Sequence, residues 1–166
     1  TAVVEENVRL ADDVVVGPYC VVGSGVSIGE GTILDARVVI TGDTTIGRQN
    51  RFSPNSTIGC NPQILGMEPS AKIGSLVIGD RNVFRENVTV HLSKHAGAAT
   101  RIGNENLLMV GSHIGHDAIL EDKIVLSNLV QIGGHVHIET GAWMSGLAAS
   151  HQRSEEHTSE LQSRQS

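Results

Sequence analysis

Aromatic side chains make up only 2% of this 166-residue chain: one tryptophan, one tyrosine and two phenylalanines. A core cannot be built around large rings here, and must come from Val, Ile and Leu, which pack best in closely spaced strands. Cysteine is equally scarce. Cys20 and Cys60 stand at no metal-ligand spacing, which excludes a disulfide framework and a zinc ribbon and fits a reducing compartment. The formal charge of −6 has no basic run behind it, which argues against a nucleic-acid surface. No apolar stretch approaches the roughly 20 residues of a membrane span. The chain opens on Thr1 rather than Met, so a targeting segment upstream stays open.

What the chain does have is 39% hydrophobic residues, 19 glycines, and a period. An apolar residue recurs every six positions: Val4, Leu10, Val16, Val22, Ile28, Leu34, Ile40, Ile46, Phe52 and Ile58. With about a third of positions aliphatic, ten in register arise by chance on the order of once in 10⁵. Four residues after each comes a small, polar or β-branched residue, among them Val8, Val14, Cys20, Val26, Thr32, Val38, Thr44, Asn50 and Ser56, so Cys20 reads as a buried filler. Glycine often follows the repeat residue, as at Gly17, Gly23, Gly29, Gly47 and Gly59, where a corner is expected to demand glycine-only φ values. The period breaks over residues 60–77 and resumes at Ile78, Phe84 and Val90. After a second gap, at about 92–101, it runs from Ile102 through Leu108, Ile114, Leu120, Leu126, Ile132 and Ile138 to Met144.

Six residues are too few for a strand plus a helix and too many for simple alternation. They fit a single-stranded parallel β-helix, an all-β fold in which each unit supplies one short strand and a corner and three units make an 18-residue coil. The repeat resembles the hexapeptide-repeat family, and that resemblance implies left-handed coils, an exception to the usual crossover handedness.

Residues 153–163, "RSEEHTSELQS", carry neither hexad nor apolar stripe and are the in-frame translation of a common DNA-sequencing adapter. The β-helix is therefore expected over residues 1–152, with 153–166 a non-native tail. An uncapped last coil would expose strand edges.

All eight histidines lie after residue 90, and seven precede the tail: His91, His95, His113, His116, His135, His137 and His151. Residues 18 apart stack one rung above another, about 4.8 Å away. That puts Gly134 over His116 and His135 over Asp117. A histidine, an adjacent carboxylate and a glycine N–H on one patch of wall are the parts of an acyl transfer: a base for a hydroxyl, a group that holds its tautomer, and an oxyanion donor. Two other readings remain at this point. Outward polar residues on a coil are ordinarily just solvated, and His113, His116 and His135 are available to a zinc ion, as in hexapeptide-repeat proteins resembling carbonic anhydrases.

The segments "IGDRNVFRENVTVH" (78–91), "NLLMVGSHIGHD" (106–117), "GGHVHI" (133–138) and "GLAASHQ" (146–152), with "NPQ" in the first loop, are similar to the UDP-N-acetylglucosamine O-acyltransferase family of lipid A synthesis. The resemblance covers nearly all of residues 1–152. It implies transfer of a 3-hydroxyacyl group from acyl carrier protein to the sugar 3-hydroxyl. His116 would be general base, Asp117 its orienting group, and the Gly134 N–H the oxyanion donor. Gln63, His113, His135, His151 and Gln152 match positions that hold substrate. It further implies a cytoplasmic homotrimer with clefts between subunits, no cofactor beyond the carrier thioester, and no metal. Departures are visible: "PQILGM" (62–67) stands where the family reads "PQDLKY", and "HLSK" (91–94) where it reads "HRGT". The family's helical C-terminal region has no counterpart here, so acyl length goes unread and the chain alone is expected to lack part of the substrate site. The related N-acyltransferase of the same pathway carries a uridine-binding domain before its coils, whereas hexads here begin at Val4. A trimeric, non-catalytic β-helix scaffold is the alternative of another class.

Overall fold

A computed structural model of the chain describes residues 1–68 and 70–151; Gln152 and the tail from residue 153 lie outside the described residues. Short parallel strands, most of two residues, stack into three sheets of eight, seven and seven strands, each sheet taking every third strand of the chain. The pairing Val3 with Val21, Val21 with Val39 and Val39 with Thr57 gives the 18-residue coil directly. The repeat residues point inward. Val22, Ile40, Phe52, Ile58, Phe84, Leu108, Ile114 and Leu126 are fully buried, and Phe52 stacks on Phe84 one rung away with ring centroids 4.5 Å apart. Cys20 is buried as expected, its thiol donating to the Asp35 carbonyl at 2.8 Å. Val4 and Leu10 keep the register but stay 46% and 36% exposed, because no coil stacks beneath them to close over their side chains.

The expectation of glycine-only φ holds at Gly59 (φ 79°) but not at the other corner glycines named from sequence. Gly17, Gly29 and Gly47 do not have positive φ; the left-handed residues fall two places later, at Tyr19, Arg37, Gln49, Arg81, Asp117 and His135 among others. Glycine follows the repeat residue for want of space instead. A Cβ on Gly29 would lie 2.7 Å from the Gly47 carbonyl oxygen, and one on Gly47 2.7 Å from that of Gly79. Rungs about 4.8 Å apart leave no room for a methyl between corners.

A buried amide ladder ties the middle coils together. Asn50 Oδ1 accepts from both the backbone N–H and the side-chain amide of Asn82, Asn82 Oδ1 accepts from the Asn106 N–H, and Asn106 Oδ1 accepts from the Ile124 N–H. Their amides in turn donate to the carbonyls of Gly79, Gly103 and Glu121. Truncating Asn82 strands the Asn106 N–H and the Gly103 carbonyl, while Asn50 Oδ1 keeps the Asn82 backbone N–H, and buried groups left unpaired cost about 1–3 kcal/mol each. Asn82→Ala is therefore expected to lower unfolding free energy by roughly 2–4 kcal/mol in a denaturant melt; an unchanged midpoint would contradict the ladder's role.

Two excursions position the site. Residues 61–68 and 70–74 fall between strands Thr57–Cys60 and Ser75–Ile78, outside the strand ladder, and residues 92–98 between Thr89–His91 and Ala99–Ile102. The second stretches the rung offset from 18 to 24, since Thr89 pairs with His113 and Val90 with Ile114.

Candidate active site

Asp117 and His135 occupy the same corner of successive coils, both with left-handed backbone (φ 61°). Lys123 and Leu129 adopt that conformation as ordinary corner residues, so it belongs to the fold rather than to the site. The corner projects their side chains outward, and His116, one residue before Asp117, donates from Nδ1 to Asp117 Oδ2 at 2.8 Å. Asp117 is also held from below: Ser93 Oγ donates to its Oδ1, the Lys94 N–H to its Oδ2 at 3.2 Å, and its own N–H donates to Thr100 Oγ1 at 2.8 Å. Burial works against ionisation of this carboxyl, but the hydrogen bonds from Ser93, His116 and the Lys94 N–H outweigh it and hold it below the usual carboxylate range. An ionised carboxylate can only accept, so Nδ1 of His116 carries the proton and Nε2 is left as the basic nitrogen.

The imidazole of His116 lies against Gly134. A Cβ added there would sit 2.5 Å from Cε1 and 2.7 Å from Nε2, so only glycine admits the ring. The Gly134 N–H has no acceptor among the described residues. Elsewhere the same corner position holds anionic or amide oxygens: Ser24 N–H donates to Glu5, Arg48 to Asp80, Asp80 to Asn104, Asn104 to Asp122 and Thr140 to Glu121, at 2.6–3.0 Å. The coil thus presents N–H groups suited to an oxygen ligand, and the one beside His116 is open.

Around this pair, His135 Nε2 stands 3.7 Å from Asp117 Oδ2, and its ring meets that of His116 edge-on with centroids 5.3 Å apart. Burial, only partly offset by Asp117 and reinforced by the positive charge of Lys94, keeps the His135 imidazole below its ordinary value. His113 bonds Thr89 Oγ1 through Nδ1 at 2.8 Å and meets the buried His91 edge-on at 4.8 Å. His151 packs over the corner at Gly133. Gln63 is exposed on the 61–74 loop and bonds none of the histidines. Of the trio available to a metal from sequence, only His135 belongs to the group whose donor atoms converge; the other members are His95 and Asp117.

Burial, with help from His113 and His116, pushes the His91 imidazole down to about 4. The unfolded chain then takes up a proton near pH 6.5 that the folded one refuses until about pH 4, so stability is full above 6.5 and is lost as pH falls through that window. Melting temperature is expected to fall between pH 6.5 and 4, and His91→Gln to flatten the fall; an unaltered slope in the variant would remove His91 as its source.

With this geometry in view, likeness to known proteins becomes informative. The pattern of the bacterial transferase hexapeptide (six repeats) family matches residues 25–60. The acyl-[acyl-carrier-protein]–UDP-N-acetylglucosamine O-acyltransferase of Syntrophobacter fumaroxidans is 40% identical over 135 residues, covering 81% of this chain and 52% of that one. The protein of the same name from Thermodesulfovibrio yellowstonii is 39% identical over 146 residues, 86% of this chain and 55% of that one. The crystal structure of the UDP-N-acetylglucosamine O-acyltransferase of Moraxella catarrhalis superposes with a TM-score of 0.87 at 40% identity, over 92% of this chain and 59% of that one. The chain belongs to the UDP-N-acetylglucosamine O-acyltransferase family. Its fold is the parallel β-helix expected from the hexads, left-handed as the resemblance implied. The chain spans about half the length of the curated relatives it matches.

Sequence reasoning put His116, Asp117, Gly134 and His135 on one patch, as the structure does, and missed what holds Asp117: Ser93, the Lys94 N–H and Thr100. Ser93 sits in the segment where "HLSK" departs from the family's "HRGT". Across the 92–98 excursion the offset is 24, which places Ser93 one rung beneath Asp117; counting hexads through the gap would have found it.

Proposed function

We propose that the chain carries the catalytic wall of an enzyme that transfers a 3-hydroxyacyl group from acyl carrier protein to the 3-position of a UDP-N-acetylglucosamine-type sugar. The observation that carries the reading is the open Gly134 N–H beside a histidine whose Nδ1 is tied to an ionised carboxylate. Support comes also from relatives named for that reaction. His116 Nε2 takes the proton of the sugar hydroxyl as its oxygen attacks the thioester carbon. The Gly134 N–H donates to the oxyanion that forms, and the intermediate collapses with loss of the carrier thiolate, which recovers the proton from His116. No serine or cysteine nucleophile enters, because the hydroxyl attacks directly.

In this reading Gln63, His113, His135, His151 and Gln152 contact substrate, and the chain assembles as a homotrimer in the cytoplasm with each cleft completed by a neighbouring subunit. No cofactor takes part beyond the carrier thioester. Residues 153–166 are set aside as non-native. Incubating the full-length gene product with 3-hydroxyacyl carrier protein and UDP-N-acetylglucosamine, with mass spectrometry of the sugar, tests the proposal. Acylated nucleotide sugar and free carrier thiol are the expected products; intact substrates with a folded trimer would favour the scaffold reading.

A further inference from the structure

We propose that His95, Asp117 and His135 form a binding site for a zinc-type transition-metal dication, and that its occupation competes with the Asp117–His116 hydrogen bond. The binding half stands on the cluster alone; the competition half rests on the acyl-transfer reading.

One donor atom from each of the three residues lies within 4.8 Å of the others. His135 Nε2 and Asp117 Oδ2 are already 3.7 Å apart, against the roughly 3.4 Å between ligands of a tetrahedral ion with bonds of about 2.0–2.1 Å. His95 is the exposed member, its ring centroid 5.8 Å from that of His135, so a swing of its side chain that brings its donor atom closer by up to about 1.4 Å closes the set. Two imidazoles and one carboxylate suit Zn²⁺ or Co²⁺, whereas Mg²⁺ and Ca²⁺ call for oxygen donors. Asp117 and His135 are fixed by the backbone at one corner of successive rungs, and the hydroxyl of Ser93 holds the other carboxylate oxygen as an outer-shell partner would. The ammonium of Lys94 acts against a cation here, which limits affinity without changing the donor set.

Oδ2 is the atom both partners need. It accepts the Nδ1–H of His116 at 2.8 Å, and it is also the Asp117 oxygen nearest the His135 nitrogen. An ion bound there sets a positive charge against Nδ1–H, and His116 loses the acceptor that fixes its tautomer. The His95 side chain touches His135 but makes no hydrogen bond to His116 or Asp117; its backbone bonds Ser93. Removing the imidazole therefore deletes a ligand and leaves the base and its carboxylate in place.

The test titrates the chain with Zn²⁺ by calorimetry and with Co²⁺ by its visible absorption, in the parent and in His95→Ala. One bound ion per chain is expected. The variant should bind at least about ten-fold more weakly, since outer-shell partners alone command 10–100-fold. In the acyl-transfer assay, zinc should abolish parental turnover, a chelator should restore it, and His95→Ala should keep turning over at the same zinc concentration. No binding by the parent, or equal affinity in the variant, overturns the site. Binding with unimpaired acyl transfer overturns the competition. No acyl transfer with or without zinc sinks the functional reading and leaves the titration to decide the site.

Discussion

His116→Ala in the full-length gene product is expected to lower kcat for acyl transfer by about two orders of magnitude or more, the contribution of a positioned general base. The ring sets Nε2 against Gly134, and alanine can neither take the hydroxyl proton nor return one to the leaving thiolate. KM should change little, because the substrate contacts proposed above lie on other residues. Stability should hold as well. The His116 side chain is 19% exposed and packs on a glycine rather than in the core, so truncation leaves no sealed cavity. An unchanged melting curve with lost turnover is the expected pair of results. Retained turnover would remove His116 as the base, whatever the family.

The hexads made most of the fold legible, because a six-residue period admits few architectures and its side-chain register is repeated through most of residues 1–151. Phe52 and Phe84 illustrate the strength of that logic: two isolated aromatics on opposite sides of a broken period turn out to stack. Glycine at the corner was read as a demand of φ, which holds at Gly59, whereas at Gly17, Gly29 and Gly47 the constraint is a clash with the neighbouring rung. The stacking rule placed Gly134 and His135 because residues 113–151 keep the 18-residue offset. At a fixed offset of 18 it missed Ser93, which lies across an excursion that adds six residues, and although Thr100 keeps the ordinary register, nothing in its local sequence marks its hydroxyl as an acceptor for the Asp117 N–H. Nor could it separate His95, whose side chain reaches the cluster from that excursion, from a solvated loop histidine.

Asp117→Asn carries the second large effect, and its sign follows from which atoms can donate. The carboxylate accepts from Ser93 Oγ, from the Lys94 N–H and from His116 Nδ1–H. Asparagine offers one oxygen and one NH₂. If the oxygen keeps Ser93, the amide faces both the Lys94 N–H and Nδ1–H, and the imidazole relieves the conflict by moving its proton to Nε2. That tautomer puts the proton on the nitrogen that must accept the sugar hydroxyl's. The negative charge that favours the imidazolium formed in the transition state is lost at the same time. Turnover is expected to fall by about 10²–10⁴-fold, the full range of a general-base contribution. A merely structural role for Asp117 would lower stability and activity together. The expected pattern is instead a kcat loss with KM and melting temperature nearly held. Asp117→Glu should recover part of the loss if its longer carboxylate can still meet Nδ1. Equal activity in Asp117→Asn and the parent would show that tautomer control is not what this carboxylate contributes.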